Sequence, residues 1–219
     1  KDFEEGLIWS FINSSYNQEY AVLSDSITTR LVSLTSFEAV FEGDSIVLLG
    51  DNFAYAYTKD STTIFFNNIV SIREKSVEKI ELLTNSGAPA YLSVRHKREW
   101  KVYNADAQLI IEEDYDELAP VGKEYLVVTK GSKKGLYNKS GKKLLDNRYE
   151  AIANYADGYL SFFSNKKFGI INDSLNIKIE NDYDKNIRAY NTRFLVVNKN
   201  DFEGLVDTLG YNVVPIEYE

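Results

Sequence analysis

Tyr159-Leu-Ser-Phe-Phe-Ser-Asn-Lys-Lys-Phe-Gly-Ile-Ile-Asn172 decides the fold. Aromatic and branched side chains fill both ends, and Ser164-Asn-Lys-Lys167 lies between them. Side chains of the first kind suit a pleated, half-buried backbone, and the polar quartet suits a tight turn. Strand, turn, strand is the pattern of a β-hairpin. The same pattern stands on either side. Tyr125-Leu-Val-Val-Thr129 runs through Lys130-Gly-Ser-Lys-Lys134 to Gly135, and Arg193-Phe-Leu-Val-Val197 runs through Asn198-Lys-Asn-Asp201 to Gly204. Strands are therefore expected near 125–129, 135–138, 159–163, 169–172, 193–197 and 204–207, with an opening strand at Leu7–Phe11. No sustained 3.6-residue period competes, so the chain reads all-β. Residues 68–80 leave room for one short helix.

The hairpins recur at a fixed period. Tyr115-Asp116, Tyr149-Glu150, Tyr183-Asp184 and Tyr218-Glu219 fall 34, 34 and 35 residues apart. Gly135-Leu136, Gly169-Ile170 and Gly204-Leu205 keep a spacing of 34 and 35 between them. Two markers holding register over three cycles identify a tandem repeat. Carried backwards, the register puts Lys101 in the glycine place, with Ile80-Glu81 and Phe37-Glu38 as Tyr-acid pairs. Phe53-Ala54 and Tyr20-Ala21 then stand as aromatic-small pairs at the start of the glycine strand. This reading yields six central hairpins in one 1–219 domain. Units 1–99 are degenerate, with an insertion of about a dozen residues within 58–79, and 100–219 is regular. One small sheet has no second layer to bury its apolar face against, so the units must stack.

Aromatic-small pairs, a Gly-hydrophobic strand, a polar turn and a closing Tyr-acid pair resemble the bacterial tryptophan-glycine (WG) β repeats. The resemblance covers 100–219 well and 1–99 poorly. It implies a tandem antiparallel β-meander array of about six units, closed into a propeller-like ring or left as an open twisted array. It also implies an exported or cell-envelope location and offers no catalytic residue to carry over.

Composition narrows the function. The 219 residues include 33 acids, 25 Lys plus Arg, one His and no Cys, for a net charge of −8. That balance argues against nucleic acid or an anionic membrane as the main partner. The absence of Cys excludes disulfides, thiol catalysis and thiolate metal sites, and one His excludes any site needing two imidazoles. No apolar run is long enough for a membrane span. Met is absent throughout, as expected of either a trimmed chain or a processed, exported one, and export is the expectation preferred here. Residues 1–94 carry a net −7 and residues 95–219 a net −1, which suggests a different surface role for the first half.

Three groups could carry chemistry. His96, in Arg95-His-Lys-Arg98, reads as a basic patch for an anion or, better, as the polar turn of the third hairpin. The acids of Glu112-Glu-Asp-Tyr-Asp-Glu117 and of Asn181-Asp-Tyr-Asp184 could form a Ca²⁺ site or a glycosidase carboxylate pair. Their recurrence at the repeat period favours a structural task. Tyr115, Tyr149, Tyr183 and Tyr218 could stack sugars, but rings at repeat period are more often the core between units. Less periodic rings (Tyr16, Tyr55, Tyr57, Phe65, Phe66, Tyr211) are better candidates for a contact surface. No catalytic, metal or cofactor residue is assigned, and no binding residue is fixed. The function expected is a non-catalytic binding or scaffold module with a protein partner, as a hetero-complex, or a glycan. The rival is a carbohydrate-active enzyme using paired carboxylates.

Overall fold

The computed structural model describes residues 10–16, 20–24, 28–50, 53–66, 71–84, 90–97, 99–156, 158–172 and 177–218. Strands make up nearly all of the regular structure, and there is no helix among the described residues. Six four-stranded antiparallel sheets follow one another along the chain, each a simple meander. The first is β1 (Ser10–Tyr16), β2 (Tyr20–Ser24), β3 (Thr29–Ser33) and β4 (Ala39–Gly43). The second is β5 (Ser45–Leu49), β6 (Phe53–Thr58), β7 (Ser61–Phe66) and β8 (Ser71–Glu74). The third is β9 (Lys79–Leu83), β10 (Tyr91–His96), β11 (Glu99–Tyr103) and β12 (Leu109–Glu113). The fourth is β13 (Glu117–Val121), β14 (Tyr125–Lys130), β15 (Lys133–Asn138) and β16 (Lys143–Tyr149). The fifth is β17 (Ala151–Ala156), β18 (Tyr159–Ser164), β19 (Lys167–Asn172) and β20 (Ile177–Tyr183). The sixth is β21 (Arg188–Ala189), β22 (Phe194–Lys199), β23 (Phe202–Asp207) and β24 (Asn212–Tyr218). The chain divides into two compact units, the first holding sheets one to three and the second sheets four to six.

All six central hairpins are present, and the strands expected in the second unit lie within two residues of their expected places. The short helix expected at 68–80 is not: Ser71–Glu74 and Lys79–Leu83 are strands, and 67–70 lie outside the described residues. Residues 7–9 of the expected opening strand are also outside them, and β1 begins at Ser10.

The register in the first unit also differs from the expectation. Every second strand opens on an aromatic ring: Tyr20, Phe53, Tyr91, Tyr125, Tyr159 and Phe194. Phe53-Ala54 and Tyr20-Ala21 therefore belong with Tyr125, one strand earlier than the glycine place to which they were matched. The glycine place is filled instead by Leu31, Thr63 and Lys101, each paired across its hairpin as Gly135 pairs with Val128. Glu81 lies inside β9, and Phe37-Glu38 sits in the β3–β4 connection. The ring-to-ring intervals are 33, 38, 34, 34 and 35 residues. The chain's extra length is thus about four residues rather than a dozen, and it falls between Leu83 and Tyr91, not within 58–79.

One local feature separates the two units. In the second, the fourth strands are seven residues long, and their pairing breaks opposite Gly135, Gly169 and Gly204. A Cβ on Gly169 would lie 2.4 Å from the Phe162 ring and 2.7 Å from the Ile179 carbonyl. Only a residue without a side chain lets the bulged strand approach so closely. In the first unit, Leu31, Thr63 and Lys101 each keep a partner on the fourth strand, and those strands have four or five residues.

Packing joins neighbouring sheets within each unit. Tyr149, ending the fourth sheet, lies with Leu136, Leu145, Leu160 and Phe162 in one buried cluster. Tyr183, ending the fifth, lies with Leu195, Val197 and Val206 of the sixth. In the first unit Phe53, Phe66, Leu92 and Tyr103 form the corresponding cluster between the second and third sheets.

Candidate functional site

The acid after Tyr115, Tyr149 and Tyr183 ties the connection between sheets to the next central hairpin. The amide of Asp116 donates to the Thr129 carbonyl, that of Glu150 to Phe163 and that of Asp184 to Asn198. The Asp116 carboxylate accepts the Gly131 amide at 2.6 Å, and the Asp184 carboxylate accepts the Asn200 amide at 2.7 Å. These amides lie in turns that hold Gly131, Asn165, Lys166, Asn200 and Asp201 at positive φ. Carboxylates therefore satisfy turn amides that have no strand partner. Three further acids of the two runs meet cations. Asp114 meets Lys130 at 3.2 Å, Asp182 meets Lys199 at 2.5 Å, and Glu112 stands 3.8 Å from Lys101.

Asp44 and Glu78 occupy the same place in the first unit, their amides donating to the Tyr57 and Arg95 carbonyls. Acids 44, 78, 116, 150 and 184 were thus a readable signal, at intervals of 34, 38, 34 and 34. Asp44 and Glu78 escape the Tyr-acid pattern because Gly43 and Val77, not Tyr, precede them.

Three of the four periodic tyrosines are core. Tyr115 is buried, Tyr149 is 1% exposed and Tyr183 9%, while Tyr218 is 54% exposed. The Tyr115 and Tyr137 hydroxyls meet at 2.6 Å, so the buried ring keeps a hydrogen bond. Of the less periodic rings, Phe65 and Phe66 are buried, Tyr57 is partly open and Tyr211 is 69% exposed. The Tyr16 side chain lies outside the described residues.

The densest polar cluster forms around Glu74 on β8. Lys101 Nζ donates to its carboxylate at 3.1 and 3.3 Å, and the Tyr103 hydroxyl donates at 2.7 Å. Burial, followed by the hydrogen bond to Glu74, pushes the Tyr103 phenol well above its ordinary value. His96 Nδ1 donates to the Lys75 carbonyl at 3.1 Å, leaving Nε2 3.6 Å from Glu74. His96 is therefore the end of a hairpin strand packed on the neighbouring sheet. Lys101, filling the glycine register, bridges sheets with its ammonium where the second unit uses a backbone bulge.

No protein-family model matches the chain. No curated protein matches it either. Among solved structures, Kluyveromyces lactis Hsv2 aligns at 9% identity, over 92% of this chain and 74% of its own, with a TM-score of 0.32. A eukaryotic initiation factor aligns at 9% identity over 98% and 77%, with a TM-score of 0.35. BamB from Moraxella catarrhalis aligns at 12% over 84% and 65%, with a TM-score of 0.30. Likenesses this loose assign neither family nor function to the chain.

Proposed function

We propose that the chain is a non-catalytic module of WG-type β repeats that presents the sixth sheet to a protein partner or a glycan. The observation that carries this reading is the open surface of that sheet. Tyr190, Leu209, Tyr211, Val213 and Tyr218 are all exposed there. Leu136 and Ile170 are fully buried, whereas Leu205, in the same register one sheet on, is only partly so. Large exposed apolar side chains gathered on one element mark interaction surfaces. Aromatic rings in particular supply contact area at low entropic cost. Pro215 sits in β24, the edge strand, where it removes an amide donor from the edge. Side-chain contact therefore suits this surface better than strand addition.

Among the described residues no helix is long and apolar enough to cross a membrane. Export to the periplasm or cell surface belongs to the same proposal and is supported by the WG resemblance. Leu209→Ser combined with Tyr211→Ser tests the surface. The double variant should melt within a few degrees of the parent yet lose capture of the partner from envelope fractions of the source cell, and glycan arrays should separate a sugar from a protein. A variant that captures the same partner undiminished would overturn the reading.

A further inference from the structure

We infer that a cavity in the second unit, lined in part by Asn198, binds a peptide group carrying a carboxylate. The inference rests on the reading of the chain as a binding module and assigns it a pocket separate from the exposed rings. The cavity holds about 270 Å³ and is lined by Tyr155, Lys185, Arg188, Val196, Asn198 and Glu203, among others. Asn198 is 4% exposed, and neither its carboxamide nitrogen nor its carboxamide oxygen has a hydrogen-bond partner. Its main chain is engaged, with the carbonyl accepting the Asp184 amide at 2.9 Å. A buried amide with both ends unsatisfied calls for an explanation in a ligand or in ordered water.

The repeat supplies an internal control. Asn198 faces Glu203 across the sixth hairpin, as Phe163 faces Phe168 in the fifth and Thr129 faces Lys134 in the fourth. Phe163 and Phe168 pack with ring centroids 4.7 Å apart, and Lys134 Nζ donates to Thr129 Oγ1 at 3.1 Å. Those two pairs satisfy themselves. In the sixth sheet Glu203 turns instead to Arg188, which donates to both of its oxygens at 2.9 and 3.0 Å. Arg188 pairs with Val196 and Glu203 with Asn198, so this ion pair spans β22 beside the amide.

The chemistry of the occupant follows from these groups. A carboxamide presents N–H and C=O side by side, which complements the C=O and N–H that one residue of an extended peptide turns to the same side. Of the lining charges, Lys185 and Arg188 are cations and Glu203 is the anion, leaving one positive charge. Lys185 meets the almost fully exposed Asp201 at 4.0 Å. An exposed Arg–Glu pair has little net strength, so an incoming carboxylate can exchange with Glu203 on Arg188. A segment with a peptide group next to an Asp or Glu side chain fits both features.

The full chain, labelled with ¹⁵N, is titrated with N-acetyl-Asp-Gly-N-methylamide, with its Lys counterpart, with sodium acetate and with glucose. The aspartyl peptide should shift the Asn198 side-chain NH₂ signals and the amides of 185–188 and 196–203. The lysyl peptide should bind at least about five-fold more weakly. Acetate and glucose should leave the Asn198 NH₂ signals in place. Asn198→Leu should weaken the response at least about ten-fold while melting no lower than the parent, because it removes an unsatisfied amide where the fifth sheet holds Phe. Arg188→Ala, at an exposed position, should weaken the aspartyl peptide several-fold and decides the matter if Asn198→Leu folds poorly. Leu209→Ser with Tyr211→Ser should leave the titration unchanged, so failure of the pocket and failure of the exposed surface are told apart. No movement of the Asn198 signals at about 50 mM peptide would overturn the inference. So would equal movement with acetate or glucose, or an unchanged response in Asn198→Leu.

Discussion

Tyr149 and Phe162 meet edge to face with ring centroids 4.9 Å apart, the first ending the fourth sheet and the second lying in the middle of the fifth. The contact turns a repeat marker into the joint between two neighbouring sheets. Such ring pairs add about 0.5–1.5 kcal/mol beyond the area they bury.

Tyr149→Ala should therefore destabilise by about 3–5 kcal/mol in denaturant unfolding, the usual cost of deleting a buried ring. Tyr218→Ala, at the same register but exposed, should cost less than about 1 kcal/mol. Equal effects at the two positions would contradict the core assignment.

Gly169→Ala should cost about 1–3 kcal/mol through overpacking, since its Cβ would enter the Phe162 ring and approach the Ile179 carbonyl. Gly131→Ala has open space around it but a φ of +60°, so strain alone applies, about 1 kcal/mol. Thermal melts of the two variants should rank in that order.

Asp184 has its carboxyl held below the ordinary range by Lys167, then by the Asn200 amide. A depressed carboxyl contributes stability that is present above its unfolded value and lost as pH falls through the folded one. Melting temperature should thus fall on acidification below the ordinary carboxylate range, and Asp184→Asn should flatten that dependence. An unchanged slope would remove Asp184 from the linkage.

Glu74→Ala strands a partly buried ammonium and a buried phenol together. It should cost about 3–5 kcal/mol, whereas replacing Glu74 and Lys101 jointly with Leu and Met should recover most of the loss. A double-mutant cycle on chemical unfolding measures the difference.

The second unit was legible from its sequence because its determinants are local. A two-residue turn between runs such as Tyr159–Ser164 and Lys167–Asn172 sets hairpin register by itself. Gly135, Gly169 and Gly204 announce the bulge that carries Tyr149, Tyr183 and Tyr218 into place. The first unit lacks that bulge, so its fourth strands stop short and the marker tyrosine disappears. What persists there is the acid at Asp44 and Glu78 and the ring at Tyr20, Phe53 and Tyr91, and these gain meaning only from a partner strand. Phe65 and Phe66 show the same limit. Both looked like surface rings, but the neighbouring sheets bury them, Phe65 against Phe41 and Phe66 against Tyr103.

Sequence alone therefore determined the all-β class, the meander and the 34-residue period, because alternation and turn chemistry act over a few residues. Tertiary structure decided which periodic acids cap turns, which rings are core, and that Lys101 answers Glu74 across 27 residues. It also decided that Asn198 stands unsatisfied while Arg188 takes Glu203 from it. Those outcomes depend on which side chains meet between strands and sheets, and separation along the chain does not encode that meeting.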